Sequence, residues 1–145
     1  MATTDISREG LDMAAQALAD APVLMLNLLR YNEQARYDGG DWPSCSGREA
    51  YLTRYVPAFA EVTQGQGIAA EWVGTVHAAL VSAADEAWDD VAIVRYPSFA
   101  AFRTMIESDA YREKADPHRR AALADWRLLA TTPMPLTGAD AGDAA

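Results

Sequence analysis

The chain is poor in the side chains that usually support thiol and metal chemistry: its 145 residues include one cysteine and two histidines. Cys45 has no partner for an intramolecular disulfide, which fits a reducing compartment, and no local Cys-His pattern marks it as a nucleophile. His77 and His118 lie far apart, and neither HxxxH nor CxxC spacing occurs, so no metal site is expected. A glycine-rich phosphate loop is also missing, so no nucleotide is expected and the chain reads as needing no cofactor. Positive charge is scarce, with 12 Lys and Arg against 21 Asp and Glu and a net charge of −9. Such a surface repels phosphate backbones and anionic lipid, so neither nucleic acid nor membrane is an expected partner. No apolar run approaches the ~20 residues of a membrane helix. Residues 1–20 carry Asp5, Glu9, Asp12 and Asp20 without a continuous apolar stretch, unlike a signal peptide. A cytoplasmic location follows as the expectation.

What is present reads as one α+β domain (21–134), preceded by a helical extension (1–20) and followed by a mobile tail (135–145). Ser7 is placed to cap a weakly amphipathic helix with Leu11, Ala14 and Leu18 on one side. Pro22 then enforces an extended entry into a first strand, Val23 to Arg30, which is apolar apart from Asn27 and its end. The polar stretch 32–45, with adjacent glycines at 39 and 40 and a lone Trp42, has the length of a lid or binding loop. Ser46-Gly47-Arg48-Glu49 forms a capping box ahead of a helix that carries Tyr51, Tyr55, Phe59 and Val62 and is interrupted at Pro57. A long second strand is expected over 68–81, with Trp72 on its apolar face, His77 on its polar face, and a bulge or close approach at Gly74. A third strand, Asp90 to Tyr96, leads into a helix capped by Ser98 that buries Phe99, Phe102 and Ile106. A short helix opens at Asp116-Pro117 with Asp116 as its N-cap, and Trp126 to Thr132 forms a fourth strand. The succession βαββαβ is that of a ferredoxin-like sandwich, with helices on one sheet face only. The other, apolar face needs a cover, which predicts a homodimer.

Several segments together resemble a family. They are Pro22 to Tyr31 followed by Ala35-Arg36-Tyr37, the sequence Glu49-Ala50-Tyr51, the segment Arg95-Tyr96-Pro97-Ser98-Phe99-Ala100-Ala101-Phe102, and later Tyr111 and His118-Arg119. In order and spacing they are similar to the proteins gathered as domain of unknown function 1330, over roughly residues 20–132. The resemblance implies the dimeric α/β-barrel superfamily, whose members include cofactor-free quinol monooxygenases, lactone isomerases, polyketide cyclases and haem enzymes. It also implies a pocket within each subunit, between helices and sheet. Such a likeness locates a site more closely than it names the chemistry.

His118, at the start of a short helix, has a pKa range suited to a general acid or base, or else it packs the helix end. Tyr55 is the alternative proton carrier. Asn27 is suited to orienting a carbonyl or hydroxyl, or to bonding neighbouring backbone. Arg30 and Arg95 are each suited to clamping a carboxylate, but strands one and three run antiparallel, so their arginines sit at opposite sheet ends and at most one reaches a pocket. Arg95 is the favoured one, beside the free amides of the Ser98-capped helix. Tyr96, Trp72 and Phe102 are expected to line the substrate's apolar part, under a lid carrying Trp42. The expected function is cofactor-independent proton transfer on a small apolar or aromatic, possibly acidic, metabolite. A quinol-type monooxygenase and a non-catalytic small-ligand-binding protein are the alternatives.

Overall fold

In the computed structural model, which describes residues 2–18 and 20–136, four strands make one antiparallel sheet. They are β1 (Val23–Tyr31), β2 (Ala69–Thr75), β3 (Asp90–Tyr96) and β4 (Leu123–Thr131), in the order β2–β3–β1–β4. The helices are α1 (Arg8–Ala17), α2 (Gly47–Ala50), α3 (Val56–Val62), α4 (Phe99–Glu107) and α5 (Asp116–Ala122). Caps read from the sequence form as expected: the Oγ atoms of Ser7, Ser46 and Ser98 accept from the amides of Gly10, Glu49 and Ala101. No helix among the described residues is long and apolar enough to cross a membrane. Of the mobile tail expected over 135–145, residues 137–145 lie outside the described residues.

Alternation along β1 decides how the layers stack. Val23, Met25, Asn27 and Leu29 are buried while their neighbours are only partly so, because successive side chains point to opposite faces. Pairing carries this across the sheet. Val73, Ala92, Asn27 and Leu128 form one cross-strand row, and Trp72, Ile93, Leu26 and Leu129 form the next. Adjacent rows face opposite sides. The first faces the helices, around one space with Phe102 and Met105 of α4; the second faces away from it.

The structure departs from the sequence reading at three elements. β2 ends at Thr75, not at residue 81; beyond it Val76 still donates to the Asp89 carbonyl, but Leu80 and Val81 are exposed. Its ladder also slips between Ala70 and Trp72, leaving Glu71 as an extra residue. One extra residue exchanges the two faces downstream, so Trp72 turns outward. Gly74 is a site of close approach, since a Cβ there would overlap the Trp72 ring.

Second, the helices before Pro57 and Pro117 widen. Tyr51–Tyr55 and Tyr111–Ala115 are π-helical turns, closed by bonds from the Val56 and Asp116 amides to the carbonyls five residues back. Proline has no amide to donate and clashes with the turn behind it in a regular helix; each proline here follows a widened turn instead. Third, Asp116 is not an N-cap, because the π turn runs straight into α5. Its carboxylate accepts from Nε of Arg119 at 2.9 Å and of Arg120 at 2.7 Å. α5 stops at Ala122, so β4 begins three residues before Trp126.

Candidate functional site

Between the inner sheet face and the helices lies a cavity of about 270 Å³. The sheet supplies Asn27, Ala92, Val94 and Leu128, and the helices Phe59, Phe102 and Met105. Its walls are mostly apolar, which suits a small, poorly charged ligand. The polar groups are distinctive: Tyr31, Tyr51, Tyr55, Tyr96 and Tyr111 all line it, together with Asp90. The π turns explain three of these. Tyr51 and Tyr55 open and close one, and Tyr111 opens the other.

These phenols are held neutral. Burial is the largest influence raising Tyr55 and Tyr96 well above the usual phenol range. Burial also raises Tyr51 and Tyr111, against the Arg119 guanidinium, which works to lower both. Tyr31 is raised by burial first, then by its bond to Asp90. At neutral pH all five are hydrogen-bonding hydroxyls, not bases. The Tyr55 and Tyr111 hydroxyls share a bond of 3.0 Å, and Tyr31 donates to Asp90 Oδ2 at 2.6 Å. The Tyr51 and Tyr96 hydroxyls have no partner among the described residues and remain available to a ligand.

Asp90 is the one carboxylate among the cavity's described lining residues, buried to 4% exposure at the start of β3. Nη1 of Arg48 straddles it, 3.0 Å from Oδ1 and 2.8 Å from Oδ2. A carboxylate has about four acceptor positions; with Tyr31 and Arg48 in place, one on Oδ1 is left.

Of the residues expected from sequence, Tyr55, Asn27, Tyr96 and Phe102 line the cavity. Tyr55 is there as a neutral hydroxyl, not as a proton acceptor. Asn27 already has partners: its Nδ2 donates to the Met25 and Ala92 carbonyls at 3.3 and 3.2 Å, and its Oδ1 accepts from Trp126 Nε1 at 3.0 Å.

The others lie elsewhere. His118 is buried outside the cavity, with Nδ1 2.8 Å from the Tyr37 hydroxyl and its ring edge-on to Trp42 at 4.5 Å. Burial, and secondarily Arg54, lowers its pKa. Trp42 is no lid over this cavity. The 32–45 loop is fastened to the helices by Arg36 N donating to the Ala121 carbonyl and Arg54 to the Pro43 carbonyl. Trp42 itself packs on Tyr37 and His118. Trp72 is turned outward by the Glu71 bulge. Arg95 pairs with Leu24 in the ladder and is exposed, its side chain on the face opposite Val94 and Tyr96. Arg30, at the far end of β1, is also absent from the cavity lining. An acidic ligand group therefore finds no arginine among the described residues of the lining.

Sequence reasoning missed Tyr31, Asp90 and the partner Arg48, and did not count Tyr51 or Tyr111 as site residues. Asp90 was within reach, since it shares parity with Ala92, Val94 and Tyr96. Arg48 was not, because 42 positions separate it from Asp90. Among the described residues, no group of three or more His, Cys, Asp or Glu is arranged to hold a metal ion.

No family model and no curated protein matches the chain. Solved structures do. The chain is similar to the crystal structure of methylated RPA0582 protein, with 34% identity and a TM-score of 0.82 over 95% of this chain and 98% of that one. It is similar also to the crystal structure of RPA0582, a protein of unknown function from Rhodopseudomonas palustris and a structural genomics target. There the identity is 33% and the TM-score 0.81, over 94% of this chain and 100% of that one. At that identity, over nearly the whole of both chains, likeness extends beyond the fold: the chain belongs to the same family as the RPA0582 protein.

Proposed function

We propose that the cavity binds a small apolar or aromatic carbonyl compound and moves a proton on it without a cofactor. One observation carries this reading: two neutral, unpartnered phenol donors, Tyr51 and Tyr96, share a mostly apolar cavity with Asp90, the one carboxylate among its described lining residues. Carbon acids beside a carbonyl need a base for the proton and donors for the enolate oxygen. Asp90 Oδ1 takes the proton from the carbon next to the carbonyl, and the Tyr51 and Tyr96 hydroxyls hold the oxygen as it gains charge. Returning the proton to the same carbon gives exchange; returning it to another gives isomerisation.

The test is deuterium uptake from heavy water by 1-phenyl-2-propanone, followed by NMR. The protein should accelerate uptake, Asp90→Asn should reduce that acceleration by about 10²–10⁴-fold, and Tyr96→Phe should reduce it less. A second reading, sequestration without catalysis, has its own support. Arg48 and Tyr31 occupy most of the Asp90 acceptor positions, which leaves little of the carboxylate open to a substrate proton. Binding of the ketone with no accelerated uptake would select that reading.

The finer architecture is part of this reading. We infer a ferredoxin-like subunit of the dimeric α/β-barrel superfamily, related to domain of unknown function 1330. The support is the βαββαβ order and the outward apolar row Trp72–Ile93–Leu26–Leu129, which a second copy would cover.

A further inference from the structure

A second cavity, of about 290 Å³, lies beneath the N-terminal segment and α1. It is separate from the first, yet Ile6, Phe102, Trp126 and Leu128 line both. Three of these belong to the sheet or to α4, in the body of the fold. Ile6 alone comes from the peripheral segment leading into α1, and it is only partly buried. That segment is strapped down by its backbone. Thr3 N donates to Asp125 Oδ1 at 2.9 Å, Trp126 N to the Thr3 carbonyl at 3.0 Å, and Arg119 Nη1 to the Thr4 carbonyl at 2.7 Å. Three bonds within two residues fix where the strap runs, and so fix where the Ile6 side chain stands.

We infer that Ile6 is a specificity-determining residue: a partition between two apolar cavities that limits the length of ligand the inner one accepts. This rests on the proposed reading of the inner cavity as a carbonyl-ligand site, and it names the substrate class further as short-chain compounds. The carbonyl end meets the phenols, and an alkyl or aryl tail grows towards Phe102 and Ile6. The second cavity lies beyond Ile6, so shortening that side chain opens space there to the tail.

Binding of a series of 1-phenylalkan-1-ones, acetophenone to octanophenone, by titration calorimetry tests this. For the parent, affinity should rise with chain length and then fall beyond a limiting member. Ile6→Ala should move that limit to longer chains, and its gain over the parent should grow with chain length, about fourfold for each further methylene buried, the equivalent of ~0.8 kcal/mol. Ile6→Phe should move the limit to shorter chains. An unchanged limit in both variants would overturn the inference while leaving the inner site intact. Equal weakening of every ketone, acetophenone included, would also overturn it, because Ile6 would then merely hold the strap. Failure of the whole series to bind any of the three proteins would remove the underlying reading of the cavity, and this inference with it.

Discussion

At the scale of single residues, Gly47 is the position with least room. Its amide donates to the Asn32 carbonyl, and Asn32 N donates to the Ala122 carbonyl. The end of β1, the start of α2 and the end of α5 thus meet around one hydrogen atom. A Cβ there would overlap the Asn32 carbonyl oxygen and stand 2.6 Å from the Ala122 carbonyl oxygen. Both neighbours are backbone and cannot swing aside. Gly47→Ala should therefore cost about 1–3 kcal/mol, the range for overpacking, read as a lower urea midpoint; an unchanged midpoint would refute the argument.

His118 gives a second prediction. The Tyr37 hydroxyl oxygen accepts from Arg54 Nη1 at 3.1 Å and shares a 2.8 Å bond with His118 Nδ1. Burial, and secondarily Arg54, favours the neutral imidazole. Its folded pKa lies below the unfolded 6.5, so the unfolded chain binds more protons between those two values, and stability falls as pH drops below about 6.5. His118→Asn, which cannot titrate, should flatten the urea midpoint between pH 7 and 5.5 relative to the parent. Equal slopes in the two proteins would contradict this.

At the scale of elements, the sequence was legible wherever a pattern ran without interruption. The apolar alternation of β1, the serine caps at residues 7, 46 and 98, and the order of strands all follow from local rules, and all are present. Misreadings cluster where the pattern shifts by one residue. Glu71 is one such shift; it sent Trp72 to the wrong face in the reading and hid Val73 as a wall of the cavity. The π turns are another, each rotating later side chains relative to an ordinary helix. Asp90–Arg48 and His118–Tyr37 lay beyond local rules altogether, because their partners are 42 and 81 positions apart.

The bulge allows a direct check. The register runs Ala70↔Val94, Trp72↔Ile93 and Val73↔Ala92, so removing Glu71 closes the ladder without turning either neighbour. The deletion variant should fold, keep its urea midpoint within the equivalent of ~1 kcal/mol, and show the same Trp72 solvent accessibility to acrylamide quenching. A quenched-to-protected change at Trp72 would mean that the register, and with it the face assignment, is wrong.

At the scale of the whole molecule, the two sheet faces are unequally finished. The inner one has helices, a core and a cavity; the outer one has an apolar row crossing all four strands, with Trp72 56% and Leu129 50% exposed at its ends. The central members of that row, Ile93 and Leu26, are partly shielded by their own neighbours. An apolar row of this kind is the sort that pairs with its own copy, since the same patch serves both partners under two-fold symmetry. Leu26 is the sharpest place to test the proposed dimer, because it lies on a central strand and its side chain points away from the cavity row. Leu26→Glu would put a carboxylate from each copy into the same interface, where each must be desolvated near the other. The loss should be at least ~3 kcal/mol, more than a hundredfold in the association constant. In sedimentation velocity the parent should run as a dimer at micromolar concentration and Leu26→Glu as a monomer. Because Leu26 faces away from the cavity, the variant should still bind acetophenone like the parent. A parent that sediments as a monomer would refute the dimer. A Leu26→Glu variant that stays dimeric would place the interface on some other surface.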